Sequence, residues 1–250
     1  CLYRLICHIN STTDFTLDSY VGDPIWKCRL VLYADSDFCG ETAHTKSTSG
    51  WWLLLRGPNT KFVLSWVNKT QTSTARSSTA AELIALAHGM FLEAIPMLDL
   101  FDLLSIDEHG KRHPLKLYVK EDNQACVQVS TTGLNPTMRH LERTHRVSVR
   151  WIHERYVAGD FRLDKIDTNA QAADIFTKAF TEKDKWMQVR TMVNVVDMDV
   201  LFGTTKPSGG GTATPNSAQI GLQNDQNTCQ VAGDGRYTQV FNCSGNIITR

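Results

Sequence analysis

A net charge is what this chain lacks: across 250 residues, 26 basic and 26 acidic side chains cancel. That balance argues neither for nor against a nucleic-acid partner, and any binding footprint has to be local. No apolar run approaches the roughly 18 residues of a membrane span, and no signal peptide is visible. The seven cysteines (Cys1, Cys7, Cys28, Cys39, Cys126, Cys229 and Cys243) are odd in number and contain no C-x-x-C pair. They give no support for zinc or a disulfide framework and fit free thiols in a reducing compartment. Internal repeats are lacking too. The first residue is Cys rather than Met, so the expectation is a fragment of something longer.

What is present suits one globular domain, or one domain with extensions, at 42% hydrophobic residues. Residues 29–34 (RLVLYA) form a mostly apolar run, the pattern of a strand buried on both faces. Trp51 to Arg56 and Lys61 to Val67 are two further strands, joined as a hairpin by the turn signal Gly57-Pro58-Asn59. Ser77, Ser78 and Thr79 offer N-caps for a long helix over 80–104, kinked or broken at Pro96. A fourth strand at 115–120 leads into a short helix that ends at Val129. Helices are expected over 138–157 and 170–180, with a fifth strand at 161–166 between them. The order β-β-β-α-β-α-β-α implies an α/β fold: a mixed sheet, begun as a hairpin meander and flanked by helices. Three regions follow: 1–22 a connecting segment, 23–190 the domain, and 191–250 a mostly disordered extension. From about Gly203 that extension turns rich in Gly, Asn, Gln, Ser and Thr.

Four carboxylates stand out. Asp35 ends the first strand, Glu82 lies in the first turns of the long helix, Asp122 ends the fourth strand, and Asp174 sits on the last helix. A carboxylate at the end of a buried strand is costly unless a cation or donors compensate it. Each residue has an ordinary explanation: a turn cap for Asp35, the helix dipole for Glu82, an N-cap role for Asp122, solvent for Asp174. Together, with the first and fourth strands as neighbours, they form an oxygen-ligand cluster suited to magnesium and to phosphodiester hydrolysis. Asp37, Glu41 and Glu121 are further acids nearby, with no role assigned.

Five blocks then carry a resemblance: YADSDFCGE (33–41), KSTSG (46–50), LSWVNKTQTSTARSSTAAELIAL (64–86), KEDNQAC (120–126) and AADIFTKAF (172–180). In order and spacing, over about residues 2–186, the chain resembles the ribonuclease H portion of a copia-type LTR retrotransposon Pol polyprotein. RLICHINSTTDFTL, at the N-terminal end, resembles that family's link between reverse transcriptase and ribonuclease H. The resemblance implies the ribonuclease H-like fold, a five-stranded mixed sheet whose second strand is antiparallel. It implies metal-binding, catalytic carboxylates at Asp35, Glu82, Asp122 and Asp174, holding two Mg2+ ions (or Mn2+). The implied activity is hydrolysis of the RNA strand of an RNA–DNA hybrid during reverse transcription. The implied partners are that hybrid and the reverse transcriptase portion of the same polyprotein, with no membrane. The expected location is cytoplasmic, in a virus-like particle, or nuclear.

Some positions depart from the family pattern. The first glutamate of S-S-T-E-A-E is Ala80 here, and the Trp after the second Asp of the first block is Phe38. The ungapped register around 138–155 puts Arg146 where the family has a histidine, leaving His140 and His145 both open as its counterpart. Cellular ribonucleases H carry a loop histidine before the last Asp, whereas Asp167 to Ala173 holds none. For the substrate, Arg139, Arg143, Arg146 and Arg150 would share one helical face as a phosphate-tracking stripe, or simply a solvated face balanced by Glu142 and Glu154. Lys46 and Ser47 are a second candidate phosphate contact. The six tryptophans are expected mostly in the core. Two rivals to the nuclease are a decayed copy that only binds nucleic acid, and a three-carboxylate DNA nuclease or transposase.

Overall fold

The computed structural model describes residues 2–40, 45–202, 239–241 and 247–249. Its centre is a sheet of five long strands with a two-residue strand at one edge. The edge strand β2 (Tyr20–Val21) follows helix α1 (Leu2–Ser11) and strand β1 (Phe15–Leu17). Then come β3 (Arg29–Asp37), β4 (Thr48–Gly57), β5 (Thr60–Thr70), β6 (Leu117–Glu121) and β7 (Phe161–Lys165), in the spatial order β2-β5-β4-β3-β6-β7. β3, β4 and β5 are an antiparallel meander, while β6 runs parallel to β3 and β7 parallel to β6. This is the ribonuclease H-like arrangement that the resemblance implies.

β3 is apolar on both sides because both sides are covered. Leu30, Leu32 and Ala34 join one core, and Val31 and Tyr33 join another. The first core packs under helix α2 (Ser78–Gly89), whose residues Ala80, Leu83, Ile84 and Ala87 meet the sheet. Ser77 caps this helix as expected, its hydroxyl accepting the Ala80 N–H at 3.1 Å. Pro96 does not break the run. A π-turn, Met90–Ala94, leads into α3 (Ile95–Leu104), with Pro96 in its first turn. There the widened backbone accommodates a residue that cannot donate to the preceding turn. The composite helix Ser78–Leu104 is therefore long and apolar enough to cross a membrane by length and composition, contrary to the sequence expectation. Its first half lies against the sheet as a core helix does.

On the parallel side, Asn123 caps α4 (Gln124–Thr132) by accepting the Cys126 N–H at 3.0 Å. The single helix expected over 138–157 is a correction. It is two helices, α5 (His140–His145) and α6 (Val149–Ala158), parted where Arg146 turns left-handed at φ 56°. Val147 is buried there and Ser148 starts α6 as its N-cap, so local capping wins over continuation. The helix expected over 170–180 shrinks to α7 (Asp174–Thr177), because the backbone is extended at Gln171, whose side chain donates to the Ala34 carbonyl at 2.7 Å, and again at Lys178.

α8 (Lys183–Met192) closes the second face, and Trp52 stacks on Phe176 there at 5.8 Å between centroids. Residues 191–202 are the end of α8, β8 (Val195–Asp197) and α9 (Met198–Phe202). β8 pairs with β1, joining the two ends of the domain. The disorder expected for 203–250 falls mainly outside the described residues, of which β9 (Gln239–Phe241) and β10 (Ile247–Thr249) pair antiparallel.

Candidate metal centre

Two neighbouring strand ends create the site. β3 and β6 run parallel with Tyr33 opposite Lys120, so Asp35 and Asp122, each two residues further on, emerge side by side. α7 then brings Asp174 across. One carboxylate oxygen from each of Asp35, Asp122 and Asp174 lies within 4.8 Å of the others. Asp35 and Asp174 are each 1% exposed, and Asp122 is half-buried.

The fourth predicted acid stands apart from this triangle. Glu82 is buried and near enough for Asp35 and Asp122 to act on its charge, yet it does not share their common point. Its Oε2 is buried without a hydrogen-bond partner. Four converging oxygens thus become three, with the α2 carboxylate behind them. Beside Glu82 sits Glu121, wholly buried, one oxygen accepting the Asn123 N–H at 3.0 Å and the other unpartnered.

Three residues of the site carry no functional assignment from sequence reasoning. Lys178 sends its ammonium to Asp174 Oδ1 at 2.7 Å and Asp35 Oδ1 at 3.3 Å. Thr177 donates its hydroxyl to Asp35 Oδ2. Gln171 donates to Asp122 Oδ1 at 3.5 Å while anchored on the Ala34 carbonyl. All three fall within or next to the AADIFTKAF block. An i,i+4 Asp–Lys spacing is the signal available for Lys178, and it is an ordinary helix-surface pattern.

Burial dominates the electrostatics. It pushes Asp35 up to about 7 despite the Lys178 charge, with Asp174 and Asp122 adding to the rise. Glu121 is pushed up to about 8, first by burial, with Asp122 and Asp35 contributing. Glu82 and Asp174 are raised for the same leading reason. Burial opposes the charge on Lys178, but Asp35 and Asp174 outweigh it and hold its proton more tightly than usual. Carboxylates this close resist ionising together, so the site favours added positive charge. Hard oxygen donors, an ammonium already seated between two of them, and an unpartnered Glu82 oxygen make a donor set that fits divalent magnesium or manganese.

The predicted nucleic-acid contacts are dispersed. Arg139, Arg143, Arg146 and Arg150 are all exposed but do not share one helical face, because the chain turns at Arg146. Arg150 pairs with Glu154 at 2.9 Å. Lys46 is half-buried, and Ser47 is fully buried with its hydroxyl accepting the Cys39 N–H at 3.3 Å. Of the two open histidines, His140 bonds the Thr137 carbonyl, and His145 bonds Thr144 Oγ1 and the Ser73 carbonyl. Trp51, Trp52 and Trp186 are in the core, while Trp26 and Trp66 are exposed.

No family model matches the sequence. Among solved structures it is similar to the ribonuclease H1 LC11, isolated from compost by a metagenomic approach. That likeness is 16% identity over 58% of this chain and 90% of that one, with a TM-score of 0.39. It is also similar to the N-terminal RNase H domain of a Mycobacterium tuberculosis protein, at 14% identity over 65% and 96% with a TM-score of 0.36. In sequence the chain is 29% identical over 176 residues, 70% of its length, to the retrovirus-related Pol polyprotein from transposon TNT 1-94 of Nicotiana tabacum. It spans 12% of that polyprotein. The resemblance carried by the five sequence blocks thus has its counterpart in a retrotransposon Pol polyprotein, to which this chain is similar over most of its length.

Proposed function

We propose that this domain hydrolyses the RNA strand of RNA–DNA hybrids with the help of divalent cations, within the reverse transcription of a retrotransposon. One observation carries the reading: the oxygens of Asp35, Asp122 and Asp174 converge within 4.8 Å at the ends of two adjacent parallel strands. These three, with Glu82 behind them, are the residues that would hold two Mg2+ ions, or Mn2+. When bound, such ions supply positive charge to a scissile phosphate and make water a better nucleophile at neutral pH.

The chain's own residues do the positioning. Asp35 and Asp122 sit on rigid strand ends, Thr177 fixes the orientation of Asp35, and Gln171 holds Asp122 relative to the Ala34 backbone. No protein nucleophile is needed. The exposed arginines around the turn between α5 and α6 supply phosphate contacts. Hybrid specificity would come from 2′-hydroxyl and backbone contacts rather than base edges. The reverse transcriptase portion of the same polyprotein is the proposed neighbour in the chain.

The test is cleavage of a labelled RNA–DNA hybrid in magnesium, with Asp122→Asn alongside. The expected result is a cut RNA strand with the wild-type chain and an intact one with the variant. Intact RNA with retained hybrid binding by the wild type would instead indicate a binding module. Cleavage of duplex DNA in preference to the hybrid would indicate a DNA nuclease.

A further inference from the structure

One side chain in the segment between β5 and α2 reaches both the sheet and the helix. Gln71 is 5% exposed. Its backbone N–H donates to the Ser47 carbonyl at 2.8 Å, which seats the residue beside the entry to β4. Its side-chain Nε2 donates to Ser49 Oγ at 2.9 Å and to the Ala81 carbonyl at 3.0 Å. A carbonyl only accepts, so the orientation of the amide follows. Both acceptors adjoin the metal centre. Ser49 lies opposite Ser36, the residue after Asp35, and Ala81 immediately precedes Glu82. One amide thus joins the strand pair that carries Asp35 to the helical turn that carries Glu82.

Glu82 depends on such a support. Its Oε2 is buried without a partner, and Asp35, Glu121 and Asp122 all act against its charge. The place of this carboxyl is therefore set by the backbone of α2. Ser77 fixes the conformation of the first turn, but that cap is internal to the helix and does not locate it on the sheet. The apolar packing of Ala80, Leu83 and Ile84 holds the helix down without giving it a direction. The Gln71 amide adds the directional contact. Stability alone does not account for it. Gln71 Oε1 is buried with no partner, a cost that an apolar side chain of equal length would avoid.

We propose that Gln71 is a positioning residue of the metal centre, holding Glu82 in register with Asp35 through the Ala81 carbonyl and Ser49. The role rests on the metal-dependent reading of the site and is independent of which nucleic acid is cut.

The test is calorimetric Mn2+ titration of the 250-residue chain as wild type, Gln71→Met, Glu82→Gln and the double variant, with thermal melts in EDTA giving the folded fraction. Met matches the length of Gln without its donors. Gln71→Met is expected to weaken Mn2+ binding by about tenfold. The double variant should bind no more weakly than Glu82→Gln alone, because Gln71 acts through that carboxyl. In hybrid cleavage the loss should fall on kcat, with KM and hybrid affinity in EDTA unchanged. Wild-type Mn2+ affinity in Gln71→Met, or losses that add in the double variant, would overturn the proposal.

Should Gln71→Met fail to fold, the wild type decides. The Gln71 side-chain amide resonances, identified by their contacts with Ala81, should shift as Mg2+ saturates the wild type and stay in place at saturating Mg2+ in Glu82→Gln. Equal shifts in both chains would refute the link to Glu82. A wild type that takes up no Mn2+ would overturn the metal centre and this role with it. One that binds Mn2+ yet leaves the hybrid intact would count against the substrate reading alone.

Discussion

Lys178 Nζ stands 2.7 Å from Asp174 Oδ1 and 3.3 Å from Asp35 Oδ1, so an ammonium holds together two of the three clustered acids. Both aspartates are buried, while the lysine side chain is 36% exposed and can swing toward solvent. Removing it leaves a buried acidic cluster uncompensated. Lys178→Gln is expected to lower metal-free stability by about 1–3 kcal/mol, less than for a fully buried pair because of that exposure. It should also raise divalent affinity roughly tenfold, since the competing cation is gone. Thermal melts in EDTA and calorimetric Mn2+ titration check both arms. Unchanged metal affinity would mean that Lys178 does not compete for the site.

Glu121 is one of the buried carboxyls that make stability depend on pH, with Asp35, Glu82 and Asp174 raised in the same direction. Burial raises the Glu121 carboxyl to about 8 in the folded chain, against an ordinary value of 4.5. Between those values the native state holds a proton that the unfolded chain has released. Stability therefore falls as pH rises through that window and levels off above it. Glu121→Gln keeps an acceptor for the Asn123 N–H but removes the titration. In EDTA at pH 7.5 the variant should be the more stable chain, by about 2–4 kcal/mol, and the difference should vanish near pH 4. Denaturant melts at the two pH values decide it; a pH-independent difference would refute the assignment.

What could be read from the sequence was what local pattern controls. β3 announces itself because both of its faces are apolar, and a carboxylate at its end has few reasons to be there. Ser77 caps α2 by short-range chemistry that any S-S-T run offers. Lys178 was not legible, because an i,i+4 Asp–Lys pair looks the same on a solvated helix as over a buried Asp35. Gln171 was hidden for a similar reason: its partner, the Ala34 carbonyl, is 137 residues away. The turn at Arg146 escaped because arginine carries no preference for a left-handed backbone, and the burial of Val147 that enforces it is tertiary. Glu82 was placed on the correct helix, but no periodicity tells whether a side chain reaches a common point or stops behind it.

Gly50 lets α7 approach the sheet. A Cβ there would lie 2.7 Å from Thr177 Cγ2 and 2.8 Å from Phe176 Cβ, inside normal contact. α7 is also held by Asn68, whose side-chain amide donates to the Phe176 carbonyl, so it cannot simply lift away. Gly50→Ala is expected to cost about 1–3 kcal/mol through overpacking. Because Thr177 and Asp174 move with that helix, hybrid cleavage should fall more than the loss of folded protein explains. Melting temperature and turnover measured on the same preparation give the comparison. Wild-type values for both would show that α7 shifts at no cost.

The arginines should not contribute equally to hybrid binding. Arg150 is held by Glu154 at 2.9 Å, so its charge is already partly answered. Arg143, exposed on the last turn of α5, has no ion-pair partner among the described residues. A side chain that neutralises one phosphate releases about one counterion, and its loss lowers the slope of log affinity against log salt by roughly 0.9 on B-DNA and similarly on a hybrid. Arg143→Ala is therefore expected to weaken hybrid binding at low salt and flatten that slope by nearly one. Arg150→Ala should change it by less than half as much. The measurement is hybrid affinity in EDTA across a potassium chloride series, where binding is isolated from cleavage. If both variants keep the wild-type slope, the arginines form a solvated face and the hybrid lies elsewhere. If Arg150→Ala has the larger effect, Glu154 gives way to phosphate, and the track runs along α6 rather than α5.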